Sequence, residues 1–473
     1  MASDDTLPND LYTRLDESGD LKAADTLGAI LDLAPTQSAE LSNPIGADSV
    51  ILASTPCVDN PGLVNNNSLP TSNDKPADTP RFHDTHPSIQ FYSKFDLPNS
   101  CPTKFGRSVQ WCADGKALLV VCEDATIEVM DVGEELDITP KLSLKHPAPV
   151  LSTTWFPTAS PLDPASYCFV VGVRDCPIRL VDASDGRLRA SYRIVDHRER
   201  FIAPHCMTFS MYMNKLYCGF EDAIEVFDVH HPGAEGTRLH TVPTKKSRDG
   251  LRGIVSALGF APDWSGLYAA GSYSGGIAMY TEETGAQAQG WLEGVEGGVT
   301  QIRFNPTQPH LVHAAFRHTS TIATWDIRNP AEPVSLYDRG KVQTNQRLWF
   351  DVSSDGRWLV AGDESGTMTV LNASGQGEEG AATAALVDAH QDAIGAATFH
   401  PTKPFVLSAS GSRHFDEPTS DESTSDESDD TEGVEAVASG TSARRKSNLA
   451  RLGPRGPVTK DNSLKLWSYH NIS

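Results

Sequence analysis

From about residue 105 onward the chain repeats one pattern, and that repetition constrains its fold more than any other feature. A short apolar strand, usually ending in an aromatic residue, runs within two or three residues into a Pro, Asp or Gly turn. It reads SVQWCADG, LSTTWFP, HCMTFS, VSALGFAPD, VTQIRFNP, WFDVSSDG and IGAATFHP. Registered on Trp111, Trp155, Phe209, Phe260, Phe304, Val352 and Phe399, the copies lie 44, 54, 51, 44, 48 and 47 residues apart. A second element trails each copy: IEVMDV, IRLVDA, IEVFDV, IAMYTE, IATWDI, MTVLNA and LKLWSY. An apolar strand such as ALLVVC or LVHAAF sits between the two. Seven copies of a four-strand unit at this period predict an all-β chain, a seven-bladed β-propeller of WD-repeat type. One blade cannot bury both of its faces alone; stacked blades do, and ring closure protects their edges. Only ATWDI keeps the Trp-Asp pair, so spacing carries the assignment.

The last interval of the second element is 96 residues, one ordinary repeat plus about 50 more. The excess is an insertion over 411–461, placed between the second and third strands of the final blade. DNSLKLWSYHNIS then returns to that blade, but no fourth strand follows it. The expected supplier is Pro87–Asp96, PSIQFYSKFD, which would join both ends of the chain in one sheet. A long surface insertion costs little, about 0.6 kcal/mol per doubling of length. The propeller is therefore expected over 87–473.

Charge divides the chain the same way. Of the net −23, residues 1–86 carry −10 and the acidic run 416–435 another −10, which leaves the rest close to neutral at −3. A polyanionic partner is thus not excluded by the overall charge. Residues 1–86 have a disordered composition, rich in Ser, Asn, Asp and Pro. Within them, Leu27, Ile30 and Leu31 could form a short partner-binding helix or belong to a solvated tail. The eight cysteines form no C-x-x-C pair and read as buried free thiols. No apolar run approaches the roughly 18 residues of a membrane span, and no secretory signal is evident.

The sequence offers no catalytic or metal constellation, and no enzyme activity, cofactor or small-molecule substrate is expected. His205 and Cys206 are neighbours on a predicted strand, so their side chains point to opposite faces. His310, His313 and His318 lack a carboxylate or Cys at ligand spacing, and His390 reads as scaffold. Binding is the better hypothesis. In a propeller, the loops after the second and fourth strands share one rim. The second-to-third loops supply Arg174, Tyr273, Arg317, His318, Arg413 and His414. The fourth-to-first loops supply Arg198, Arg200, His205, Asn345, Gln346 and Arg347. Arg with aromatic and amide groups suits looped or single-stranded RNA, through phosphate pairing, stacking and edge hydrogen bonds. Glu221, Asp222, Asp363 and Glu364 interrupt the rim, and any one Arg could instead pair with a neighbouring carboxylate. Ser423, Thr424 and Ser428 sit among carboxylates, a context for acidophilic phosphorylation. The acidic run either competes with RNA for the rim or serves as a solubilising loop. The basic stretch 444–456 reads as a nuclear address or an RNA tether.

The segments RDCPIRLVDASDGRLRASYRIVDH, APHCMTFS, LYCGFEDAIEVFD, YAAGSYSGGIAMY and TNQRLWFDVSSDGRWLVAGDESG together resemble the telomerase Cajal body protein family of WD-repeat proteins. SASGSRHFDEPTSDES, with its acidic insertion in the last repeat, is similar too. The resemblance covers roughly residues 88–473. It implies a nuclear RNA-binding scaffold without catalytic activity. Such a protein recognises small Cajal-body RNAs (scaRNAs) and telomerase RNA through a hairpin-loop box and guides their ribonucleoproteins to Cajal bodies. Relatives in lower eukaryotes look tied to spliceosomal RNA processing. The expected partners are small nuclear RNA and proteins of ribonucleoprotein assembly, on a monomeric propeller. The alternative is a protein–protein scaffold in splicing, ligase or chromatin complexes, without direct RNA contact.

Overall fold

The computed structural model describes residues 87–98, 103–244, 247, 249–373, 383–415 and 457–471. The expectations for 1–86, for the acidic and basic runs of the insertion, and for Ser423, Thr424 and Ser428 lie outside the described residues. Within them the regular structure is β throughout: 28 strands in seven four-stranded antiparallel sheets, the seven blades of a propeller. Blades one to six span 106–145, 150–192, 206–240, 255–292, 299–338 and 351–388.

Blade seven takes Ile394–Phe399, Phe405–Ser410 and Ser463–Asn471 and completes itself with Pro87–Asp96. Pro87 faces Asn471 at one end of that pairing and Asp96 faces Ser463 at the other. The chain leaves the sheet after Ser410 and re-enters it at Ser463, as the repeat spacing predicts.

Burial follows position within a blade. Second strands such as Ala117–Cys122, Cys168–Val173 and Leu311–Phe316 are buried at every residue, because blades cover both faces. The outer strand Ile138–Lys145 is exposed or half-buried along its length. The clusters of buried side chains cross blade boundaries; one runs from Cys112 in blade one to Val229 in blade three.

The innermost strands carry more polar side chains than a buried strand normally would, and each has a use. Gln110 Nε2 donates to Thr153 O at 3.0 Å, and Ser152 Oγ to Pro204 O at 2.7 Å. The Cys206 thiol donates to Val255 O at 3.3 Å, and Ser256 Oγ to Val299 O at 2.5 Å. Gln301 Nε2 donates to Phe350 O at 2.7 Å while Phe350 N donates back to Gln301 Oε1 at 2.9 Å. Phe399 N donates to Asp351 Oδ2 at 3.1 Å. Blades one to seven are thereby stitched in series around the central channel, across six consecutive junctions. A buried backbone group left without a partner would cost about 1–3 kcal/mol.

His390 is scaffold, as its position suggested. It hydrogen-bonds Ser408 Oγ at 2.8 Å and Asp461 Oδ2 at 3.0 Å, and Trp467 Nε1 donates to the same Ser408 hydroxyl at 2.9 Å. This chain of contacts ties the strand on each side of the insertion to the loop entering blade seven.

His313 is fully buried against Thr324, and burial pushes its imidazole down to about 4. The unfolded chain takes up that proton near 6.5, the folded chain only near 4. Stability is therefore complete above pH 6.5 and falls as pH drops toward 4, by up to about 1.4 kcal/mol per pH unit for this group. Urea midpoints at pH 7 and pH 5, for the protein and for His313→Gln, measure it. The wild type should lose more on acidification than the variant; equal losses contradict the assignment.

Candidate nucleic-acid interface

The loops after the second and fourth strands of every blade emerge on one face of the disc. There the central channel, a cavity of about 1130 Å³ lined by all seven innermost strands, opens to solvent. The first residue past each second strand is Glu123, Arg174, Glu221, Tyr273, Arg317, Asp363 and Gly411 in blades one to seven. The repeat fixes these positions at the same height, so residues far apart in sequence become neighbours around the mouth.

Arg347 lies across this opening. It enters from the loop before blade six, yet its Nη1 donates to His205 O of blade three at 3.2 Å and its Nε donates to the Tyr273 hydroxyl of blade four. Its guanidinium sits 5.1 Å from the Tyr273 ring centroid and 5.8 Å from that of Trp349. Arg317 approaches the same Tyr273 ring at 5.6 Å and donates to Asn345 Oδ1 at 2.6 Å. Gln346 Nε2 donates to Gly411 O at 2.9 Å, which links blades six and seven at the rim. Arg174 is exposed and close enough to His205 to oppose its protonation. Burial first, then Arg347 and Arg174, push His205 down to about 4, so it is neutral at pH 7.

Two members of the site were not singled out from sequence. Trp349 stacks beneath Arg347, and Arg107 stands beside it in blade one. In five blades the first strand is bulged at its second residue, and in blade one the register shifts between Gly106 and Ser108. A bulge re-aims the extra side chain; here that side chain is Arg107, which lines the mouth and donates to Val150 O at 3.3 Å. Burial and the nearby Arg347 and Arg413 lower its ionisation from the usual value, against the pull of Glu123. Glu123 faces Arg107 at 3.5 Å and also pairs with Arg413. Two guanidinium groups therefore share one carboxylate, with a third, Arg347, close enough to Arg107 to oppose its charge. Such a cluster favours an added anion, and the planar guanidinium fork matches phosphate.

The remaining expected residues are placed differently. Arg200 binds Asp196 through Nε at 3.0 Å and Nη2 at 2.8 Å, which spends its guanidinium locally. Arg198 is exposed in the same turn. His318 contacts Gln343 O at 3.1 Å, and His414 turns inward to Asp392 Oδ1 at 2.9 Å. None of these four lines the channel, and neither do Arg174 and Arg317, which stand at the rim outside it. Burial pushes the Cys206 thiol up to about 12, so with His205 neutral the two do not form an activated nucleophile and base. Among the described residues, no three His, Cys, Asp or Glu side chains group as metal ligands.

No protein-family model matches the sequence. Curated relatives do. The telomerase Cajal body protein 1 of Bos taurus is 30% identical over 329 residues, covering 67% of this chain and 60% of that protein. The telomerase Cajal body protein 1 homolog of Drosophila melanogaster is 27% identical over 330 residues, or 66% of this chain and 58% of that protein. The chain belongs to the telomerase Cajal body protein family. It spans about 60% of the length of the first of these relatives. The guanine nucleotide-binding protein negative regulator 1 of Schizosaccharomyces pombe is 28% identical over 278 residues, 56% of this chain and 69% of that protein.

The segments that carry the family resemblance acquire physical roles. TNQRLWFD holds Asn345, Gln346, Arg347 and Trp349 at the mouth. PIRLVDASDGRLRASYR builds a buried staple in blade two: Asp182 and Arg189 are both inaccessible and meet at 2.7 Å.

Proposed function

We propose that this protein is a nuclear, non-catalytic scaffold that binds unpaired nucleotides of small nuclear RNAs at the channel mouth. Cajal bodies are its address, and Cajal-body RNAs and telomerase RNA are its candidate ligands. The observation that carries the reading is the convergence of Arg107, Arg347 and Arg413 on one opening, next to Tyr273 and Trp349, with a single carboxylate among them. Guanidinium groups pair with phosphates, and aromatic or guanidinium planes stack on splayed bases. The relatives' names support the address.

The test is equilibrium binding of small hairpin RNAs and matched duplexes over a salt series. The hairpin should bind more tightly than the duplex. Its log K should fall against log salt with a slope of about −2, as for three neutralised phosphates of a single strand. Absence of binding at 50 mM salt, or a flat salt dependence, overturns the reading. That outcome favours a protein-binding scaffold without RNA contact, to which the name of the Schizosaccharomyces pombe relative lends support.

Glu123 supplies a further expected result. Glu123→Gln removes the carboxylate shared by Arg107 and Arg413 and should tighten hairpin RNA binding about three- to tenfold at low salt. An unchanged or weakened affinity in the same assay places the RNA elsewhere.

A further inference from the structure

The opposite face of the disc, formed by the first-to-second and third-to-fourth loops, carries an aromatic pair that no part of the RNA reading uses. Tyr212 of blade three and Trp264 of blade four meet edge to face with ring centroids 5.4 Å apart. They remain 57% and 53% exposed. Large aromatics are seldom left so open without a partner.

The backbone adds a second, independent observation. The fourth residue of the first hairpin turn has a left-handed conformation in blades one, three, four and six. Glycine fills it in blade one (Gly115, φ 74°) and in blade six (Gly356, φ 71°). Met213 (φ 61°) fills it in blade three and Trp264 (φ 62°) in blade four. This conformation is free for glycine and strained for a bulky side chain. Met213 offsets the strain by packing against the core cluster of blades one to three. Trp264 packs into no core cluster and points its ring at solvent and at Tyr212. Strain retained without a packing return is a mark of a functional position.

Charge selects the occupant. On this face of blades three and four, Glu235, Asp263 and Glu283 are exposed and make no salt bridge among the described residues. Lys215 is already paired with Glu282 at 3.4 Å, and Asp228 with His231 at 3.0 Å. Asp263, next to Trp264 in its turn, has its Oδ1 engaged by Ser265. The other two carboxylates come from the third-to-fourth loops of the same two blades. An aromatic pair on a face of this charge matches a guanidinium, which stacks on the rings while its N–H groups serve carboxylates.

We propose that Tyr212 and Trp264 form a docking site for an arginine-bearing basic peptide segment of a partner protein. The site lies on the face opposite the channel mouth and stands independently of the RNA reading.

The probe is a fluorescent (Arg-Gly)5 peptide titrated into the intact chain by anisotropy, beside (Lys-Gly)5 and a proline-rich peptide of equal length. Trp264→Gly should weaken (Arg-Gly)5 binding about tenfold, and Tyr212→Ala about threefold. The lysine peptide should bind less tightly than the arginine peptide. The melting temperature of Trp264→Gly should be no lower than wild type, because glycine relieves the backbone strain. Equal affinity in wild type and Trp264→Gly assigns any binding to diffuse acidity and overturns the proposal. Preference for the proline-rich peptide overturns the choice of occupant. A lowered melting temperature for Trp264→Gly assigns the ring to the fold and likewise overturns it.

Discussion

Arg347→Glu is expected to weaken hairpin RNA binding about a hundredfold at moderate salt. Loss of one charge-assisted phosphate contact costs about 1.5–3 kcal/mol. The new carboxylate would also lie near Arg107, whose charge Arg347 and Arg413 now crowd. It would neutralise that charge in place and present a negative charge to the incoming phosphate. The salt slope should shrink by at least one contact's worth. Arg357→Glu is the matched control: it makes the same change in net charge from the opposite face, where Arg357 is 72% exposed and only loosely paired with Asp355. It should leave affinity within about twofold. Equal losses in the two variants would mean that total charge, and not the mouth, governs binding.

Removing the guanidinium of Arg189 is expected to be the most damaging single change to stability. Its Nη2 and Nε donate to Asp182 Oδ2 at 2.7 and 3.0 Å. The same guanidinium donates to the carbonyls of Pro164 at 2.6 Å, Ala165, and Tyr167 at 3.4 Å. Arg189 thus pins the long first turn of blade two to its third strand. Arg189→Met would leave Asp182 with only the largely exposed Arg187 and the Ser184 donors, and would take the Arg189 donors away from the carbonyls of Pro164 and Ala165. Breaking a buried pair from one side costs about 3–5 kcal/mol. Urea unfolding should show that loss in the midpoint. Replacing Asp182 by Leu in the same chain should restore part of it, because the buried charge that lost its inaccessible partner is gone. A loss below about 1 kcal/mol contradicts the staple.

The fold was legible because repetition is a statement about geometry. Seven registers from Trp111 to Phe399 place seven first strands, and the long final interval locates the insertion. The missing partner of LKLWSY could then be sought upstream, and Pro87–Asp96 fills that role. The rim was legible for the same reason: loop position alone puts Tyr273, Arg317 and Arg347 on one face.

What sequence could not supply was the last few ångströms. Arg107 lies inside a strand, where alternation predicts a side chain packed against a neighbouring blade, and only the bulge after Gly106 turns it into the mouth. The pairing of Arg413 with Glu123 joins residues 290 positions apart and depends on ring closure. Arg200 looked like any other rim cation, but its own turn supplies Asp196. The polar side chains of the inner strands gave no hint of the stitching they perform, because each bond runs to a backbone group of the next repeat.

The central claim is that cationic and aromatic groups from separate blades act together on RNA at the channel mouth. Ultraviolet crosslinking of the intact protein to a bound hairpin RNA, followed by mass-spectrometric mapping of the modified peptides, tests this most directly. Crosslinks should fall on the peptides holding Tyr273 and Trp349 and diminish in Arg347→Glu. Crosslinks confined to the face bearing Tyr212 and Trp264, or unaffected by Arg347→Glu, would contradict it.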